Sequence, residues 1–176
     1  MTVRTPLQAP EALAAAGVSL RRVTPEDRGF LERLYRSVRW DEFAPTGWTD
    51  AAKTAFLATQ FDFQQRHYRH AFDGAEYYVI DHADGPIGRI YVDRTTPELR
   101  LLEISLLPER RGQGLGAALL GLLQAEVRAG RAACVSLQVA HENPAGRLYE
   151  RLGFVEAPPP DEFPRAARDM VWPAPS

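Results

Sequence analysis

Seven consecutive residues, Arg111, Gly112, Gln113, Gly114, Leu115, Gly116 and Ala117, follow an apolar run that stops at Pro108. Glycines let a backbone come close to a ligand and take positive φ. If a helix opens at this turn, its first N–H groups have no internal partners and lie at the positive end of its dipole. Such a turn is an anion cradle suited to a diphosphate. Arg110 and Arg111 add charge, and Arg111 either fixes the loop or pairs with phosphate. The G-x-G-x-G spacing is not the G-x-G-x-x-G of a dinucleotide unit, and the Gly-Lys-Ser/Thr ending of a Walker loop is absent. A glycine-rich turn that binds nothing is the alternative. A second chemical signal is Glu103, a lone acid inside the apolar run Leu101–Leu107. A charge there must be paired, solvated or functional. A third is Tyr149, one step off the stripe formed by Leu148 and Leu152 and about 100° around a helix from Leu148.

The elements that must position these residues are legible in outline. Val18 to Val23 reads as a strand. Thr24 reads as an N-cap, with Pro25 at the first helical position and Asp27 at the capping-box position. Phe30, Leu31, Leu34, Tyr35 and Val38 carry a helix to about Arg39. Trp40 to Trp48 reads as a loop around Pro45 and Gly47. A second helix is expected from Asp50 to His70, with Phe56, Leu57, Gln60, Phe61 and Tyr68 near one face. Glu76–Asp81 and Ile87–Asp93 form a hairpin across Ala83–Pro86, and Leu99–Leu107 is a third strand. Gly114–Ala129 is a helix with a stripe of Leu115, Ala118, Leu119, Leu122 and Leu123, closed by Gly130. Cys134–Val139 is a strand, Pro144–Leu152 a short helix, Pro158–Pro160 a rigid loop and Asp169–Trp172 a last strand. The order β-α-α-β-β-β-α-β-α-β predicts an α/β fold: a mixed, mostly antiparallel sheet with helices on both faces. Residues 1–17 read as an N-terminal arm, loose or with a short frayed helix, and 18–176 as a single domain.

Composition narrows the classes of function. The 176 residues carry 21 Lys plus Arg against 23 Asp plus Glu, a net charge of −2. That balance lacks the basic surface a nucleic-acid binder needs to displace counterions. One cysteine permits no internal disulfide, and no apolar run approaches the ~20 residues that span a bilayer. No signal-peptide pattern opens the chain, so a cytoplasmic location is expected, with no membrane partner. His67 and His70 stand three apart on a helix without an evident third ligand, so no metal is expected.

Arg111-x-x-Gly114-x-Gly116, behind Leu106-Leu107-Pro108, resembles the Q/R-x-x-G-x-G/A signature of the GCN5-related N-acetyltransferase (GNAT) superfamily. Asn143 to Phe154, with Ala145, Leu148, Tyr149, Gly153 and Phe154, resembles that family's closing motif, N-x-(x)-A-x-x-L-Y-x-x-x-G-F. The step from Asn143 to Tyr149 is six residues where many members have seven. The resemblance spans about Val18 to Trp172. It implies that amides from Gln113 to Ala117 hold the pyrophosphate of acetyl-CoA. It implies that the main chain of Ile104, Ser105 and Leu106 pairs with the pantetheine arm. An N–H near Leu106 would then polarise the thioester carbonyl. In this family a bulge splays this strand from the next parallel one, opening a V-shaped slot. Asn143 either touches CoA or caps its helix.

The implied chemistry is transfer of an acetyl group to a primary amine, on a small molecule or a protein, by direct attack in a ternary complex. Tyr149, a phenol protonated at pH 7, suits donation to the departing thiolate; its alternative is a core aromatic. Glu103 either takes the amine proton, directly or through water, or faces solvent or pairs with an arginine. Glu142 and His141 are other candidate bases. Cys134 reads as a packing residue. Trp40, Asp41, Glu42 and Trp48 could meet a cationic acceptor. An acyl-CoA-binding regulatory domain on the same fold is the competing reading. A homodimer paired through an exposed C-terminal strand is compatible with the sequence.

Overall fold

The computed structural model describes residues 5–95, 97–158 and 165–174. Its centre is a seven-stranded sheet: β1 (Ser19–Arg22), β2 (Glu76–His82), β3 (Gly85–Asp93), β4 (Glu98–Leu106), β5 (Cys134–Ala140), β7 (Ala167–Pro173) and β6 (Val155–Glu156), in that spatial order. Every pairing is antiparallel except β4 with β5. Parallel neighbours need a crossover, and the helix α4 (Leu115–Arg128) supplies it. The mixed sheet with helices on both faces is the one the sequence predicts.

Each face has its own apolar layer. On one side α4 and α5 (Ala145–Arg151) cover β3, β4, β5 and β7, burying Leu99, Leu101, Val135, Leu137, Val139 and Met170. The buried stripe of α4 is Leu115, Leu119, Leu120, Leu123 and Val127. Leu120 therefore takes the central place that the spacing assigned to Leu122, which is only partly buried. Each fully buried leucine contributes roughly 1.5–3 kcal/mol. Gln124, buried on the same helix, donates to the Leu152 carbonyl at 2.9 Å and ties α4 to α5.

On the other side lie α2 (Arg28–Arg39) and α3 (Asp50–Ala71), packed through Phe30, Leu31, Leu34, Tyr35, Leu57 and Phe61 onto Val79. A 3-10 turn, Pro25–Asp27, starts this layer. There the Thr24 N–H donates to Asp27 Oδ2 at 2.8 Å, as the sequence spacing requires. Asp27 also receives the Arg21 guanidinium at 2.7 Å, which holds its carboxyl down at about 2. Phe56 does not join the buried face of α3. It is 37% exposed and packs on Phe43 and Trp48, with centroids 5.3 Å away in both cases. The segment expected as a loop, Trp40–Thr46, winds into a 3-10 helix ended by Gly47 at φ 68°.

The N-terminal segment contains the short helix the sequence allowed there, α1 (Glu11–Ala15), a single turn. Leu7 and Leu13 of that segment enter the α4-side core, and the Leu7 N–H donates to the Tyr78 hydroxyl at 2.9 Å. β6 is two residues long and lies on the outer side of β7, opposite Met170 and Val171. The outer edge of β7 is thus covered by β6 at Met170 and Val171. The loop expected at Pro158–Pro160 continues into Pro159 and Pro160, which lie outside the described residues. Among the described residues, no helix is long and apolar enough to cross a membrane.

Gly88 lets β3 and β4 approach at the point that matters for the site. It pairs with Leu106, and a Cβ there would collide with the Ser105 carbonyl oxygen and come within 2.8 Å of Leu106 Cδ2. Gly88→Ala is expected to lower stability by about 1–3 kcal/mol, the usual cost of overpacking. Urea unfolding at equilibrium measures it, and an unchanged midpoint would contradict this packing.

Candidate active site

The parallel pair opens partway along its length. β4 and β5 pair only from Glu98–Leu101 to Cys134–Leu137. One step later β4 bulges: Tyr91 of β3 faces Glu103 while the next residue, Val92, faces Leu101, leaving Leu102 as the extra residue. An extra residue bends a strand and increases its twist. Beyond it, β4 stays with β3 through Leu106, while β5 stays with β7 through Ala140. The facing edges of 102–106 and 138–140 are therefore parted. This is the V-shaped slot implied by the resemblance.

The glycine turn closes the wide end of the slot. Gly112 and Gly114 sit at φ 71° and 80°, which side chains with a Cβ rarely adopt. A Cβ on either would meet nothing within 4 Å, so the space before the turn is open. Gly114 is the N-cap of α4 and has no side chain to cap it. The first N–H groups of α4 thus lack a capping side chain and carry the positive end of its dipole. Gln113 donates to the Glu109 carbonyl at 3.0 Å and Arg111 Nε to the Leu106 carbonyl at 3.1 Å. Arg111 therefore laces the turn to the end of β4. Gly116 sits against Leu148, whose Cδ2 would lie 3.4 Å from an added Cβ. An open cradle of this form fits a diphosphate.

Glu103 stands on the slot strand among donors. Its Oε2 accepts from Tyr68 Oη at 3.2 Å and Gln64 Nε2 at 3.4 Å, both from α3. Ser105 Oγ donates to Oε1. Arg89 of β3 reaches Oε2 at 3.5 Å, and its side chain is only 1% exposed. Glu103 is thus paired with an arginine, as the non-catalytic reading of its sequence context expected, while its own side chain remains 19% exposed. The Tyr68 hydroxyl is also 3.2 Å from the Leu102 carbonyl, at the bulge. Burial, then the Glu103 charge, pushes the Tyr68 phenol well above the ordinary tyrosine range.

Tyr149 approaches from α5. It joins the apolar core, the alternative its sequence position left open: it is 7% exposed, with its ring 5.8 Å from Phe154. Leu148, expected to face the core, is only partly buried. The short helix turns this way because Gly153 and Phe154 fold back beneath it, the Phe154 N–H donating to the Tyr149 carbonyl at 3.0 Å. Burial pushes the Tyr149 phenol up to about 12, and the Glu103 carboxylate adds to the shift. The two groups lie within electrostatic reach of each other.

Other sequence candidates fall elsewhere. Asn143 Oδ1 accepts from the Ala145 N–H at 2.9 Å and secures the start of α5. Gly146 accommodates the Arg168 guanidinium, whose Nη2 would lie 2.5 Å from a Cβ there. His141 and Glu142 are exposed in the turn after β5. Cys134 begins β5, in the paired half and away from the opening, and burial pushes its thiol up. Glu42 is held by Arg39 at 2.7 Å, and the Trp40 ring is met by Lys53 at 5.3 Å. Among the described residues, no group of three or more His, Cys, Asp or Glu could hold a metal ion. Arg89 and Gln64 went unnoticed in the sequence, and Tyr68 was read only as part of the face of α3. Arg89 had the same signal as Glu103, a single charge in an apolar strand.

The sequence profile of the acetyltransferase (GNAT) domain matches residues 73–156, from the end of α3 through β6. Residues 73–156 are thus similar to a GNAT acetyltransferase domain, and the sheet has the GNAT fold. The GNAT fold is shared with PaiA N-acetyltransferase from Thermoplasma acidophilum in complex with coenzyme A. That structure has a TM-score of 0.64 and 15% identity, over 89% of this chain and 98% of that one. It is shared too with spermidine N-acetyltransferase from Vibrio cholerae in complex with CoA and spermine. The values there are a TM-score of 0.59 and 21% identity, over 90% and 96% of the chains. An acetyltransferase from Thermus thermophilus gives 0.62 and 20%, over 89% and 96%. No curated protein relative matches the chain.

The raised Tyr149 phenol gives a direct spectroscopic expectation. Ordinary tyrosines titrate near ~10, whereas Tyr149 keeps its proton until about 12. In an ultraviolet titration, the difference between wild type and Tyr149→Phe should show no phenolate at pH 10. A difference band growing in below pH 10 would contradict the burial described.

Proposed function

We propose that this chain is an acetyl-CoA-dependent N-acetyltransferase that moves an acetyl group to a primary amine by direct attack in a ternary complex. One observation carries the reading. The strand edge freed beyond Leu101 bears a carboxylate, Glu103, and leads into an open glycine turn at the uncapped start of α4. The CoA-bound relatives support the choice of donor. The amine class of the acceptor is supported by the relatives named as N-acetyltransferases.

In this reading the N–H groups of Gln113, Gly114, Leu115, Gly116 and Ala117 receive the pyrophosphate, around Gly112. Arg111 keeps the turn against β4. The main chain of Ile104, Ser105 and Leu106 aligns the pantetheine arm and directs an N–H at the thioester oxygen. The acceptor nitrogen attacks the carbonyl carbon and forms the new C–N bond. Glu103 receives the proton lost by nitrogen, directly or through one water. The C–S bond breaks as the tetrahedral intermediate collapses, and Tyr149 gives its proton to the sulfur. A phenol held up to about 12 is protonated throughout the neutral range, so the donor form is always present. Asn143 serves the start of α5 and thereby the placement of Tyr149.

The test is CoA release with a panel of four acceptors: spermidine, a free amino acid, a peptide with a free N-terminus and an aminoglycoside. At least one is expected to support turnover. With it, Tyr149→Phe should lower kcat by about 10²- to 10⁴-fold, the usual range for a general acid. CoA affinity by calorimetry should stay within about twofold, because the phenol meets only the sulfur end. Turnover unchanged in Tyr149→Phe would remove the acid role. Tight CoA binding with no release across the panel would contradict the enzyme reading and favour a regulatory acyl-CoA domain.

A further inference from the structure

Arg89 of β3 and Arg94, just past its end, are almost wholly buried, and they are bonded very differently. Arg94 is 6% exposed and fully engaged. Its Nε and Nη2 reach the two Glu76 oxygens at 2.8 and 2.6 Å, Nη2 also donates to the Thr5 carbonyl at 2.9 Å, and Nη1 lies 3.6 Å from Glu126. That is how an arginine looks when it holds a structure together. Arg89 is 1% exposed, yet it makes one close hydrogen bond, from Nη2 to Gln64 Oε1 at 3.0 Å. Its Nε and Nη1 have no hydrogen-bond partner. Its ion pair with Glu103 is long, at 3.5 Å.

The surroundings of Arg89 all lead to Glu103. Gln64 accepts from Arg89 through Oε1 and donates to Glu103 through Nε2, so one side chain bridges the pair. Ser105, the cross-strand neighbour of Arg89, donates to the other Glu103 oxygen. Tyr91, the cross-strand neighbour of Glu103, has its ring 5.1 Å from the guanidinium carbon, and Tyr35 of α2 closes the far side at 5.8 Å. The guanidinium cannot shed its proton, and its stacked faces leave it little freedom to turn. A buried fixed charge of this kind is a rigid electrostatic support rather than a stabilising fork.

We propose that Arg89 is a positioning residue of the acetyl-transfer site, fixing the Glu103 carboxylate on the opened edge of β4 through charge and through Gln64. It touches neither substrate and acts through Glu103. The proposal rests on the reading of Glu103 as the group that receives the amine proton. Arg89 supplies the second charge of that site, and Gln64 and Ser105 set the orientation of the two carboxylate oxygens.

The test combines Arg89→Met, Arg89→Lys, Glu103→Gln and the double variant Arg89→Met/Glu103→Gln. Turnover uses acetyl-CoA with whichever of the four panel amines releases CoA fastest. Arg89→Met should lower kcat by about 10-fold or more, the scale of a misplaced reacting group. KM for acetyl-CoA should stay within about twofold, because the glycine turn is untouched. Arg89→Lys, which keeps the charge without the fork, should fall between wild type and Arg89→Met. In the Glu103→Gln background, Arg89→Met should cost nothing further in kcat. Melting temperature supplies a readout that needs no acceptor and guards against loss of folding. Glu103→Gln alone strands a buried cation and should melt lower, and the double variant should recover most of that loss.

Additive losses in kcat, or an unchanged kcat in Arg89→Met, would overturn the positioning role while leaving the transferase reading intact. An unchanged kcat in Glu103→Gln would instead overturn Glu103 as proton acceptor, and the Arg89 proposal with it. No turnover with any panel amine contradicts both.

Discussion

A parallel strand pair that stops pairing halfway is the constraint on which the rest of this structure depends. Backbone N–H and C=O groups must find partners, and leaving one buried and unmet costs about 1–3 kcal/mol. β4 obeys that rule with β5 only as far as Leu101. The extra residue at Leu102 then bends it onto β3 and away from β5. What is left is an edge that neither neighbour satisfies, in the middle of a sheet rather than at its rim. The protein partly compensates, with Tyr68 near the Leu102 carbonyl and Arg111 on the Leu106 carbonyl. The remaining main chain is available to an extended ligand, which can pair as a strand would.

The proposed chemistry is arranged around that opening. The strand that bends away carries Glu103, the helix after its partner carries Tyr149, and the turn at its end carries the uncapped N-terminus of α4. The electrostatic balance is specific. A carboxylate stripped of water needs a countercharge, and breaking a buried pair from one side typically costs about 3–5 kcal/mol. Arg89 provides that countercharge from the interior, while the 19% of the Glu103 side chain still exposed faces outward. Burial raises the Tyr149 phenol, which in the proposed reading supplies a proton where Glu103 supplies a charge.

The sequence made much of this legible, for reasons that can be named. Glycines at 112 and 114 announce positive φ, and an apolar run ending in Pro108 announces a strand ended by a turn. Those are local signals, and the structure agrees with them. The lone Glu103 could be flagged but not placed, because its partners come from α3 and β3, distant in the chain. Arg89 had the same local signature in β3 and its meaning was equally hidden. The burial of Tyr149 depends on Phe154 folding beneath a seven-residue helix, which no periodicity in so short a segment reports. β6, two residues long, is too short to carry a repeat of any period. Phe56 was misplaced because α3 has apolar residues around much of its circumference, and only contact with Phe43 and Trp48 decides which of them face inward.

The most direct measurement is a crystal structure of the protein with acetyl-CoA bound. The pyrophosphate should lie on the backbone N–H groups between Gln113 and Ala117, and the pantetheine arm should run along Ile104, Ser105 and Leu106. The thioester should sit between the parted edges of β4 and β5. Density in the roughly 600 Å³ cavity beside Thr5–Gln8 and Arg94, with the opening between β4 and β5 empty, would contradict the account.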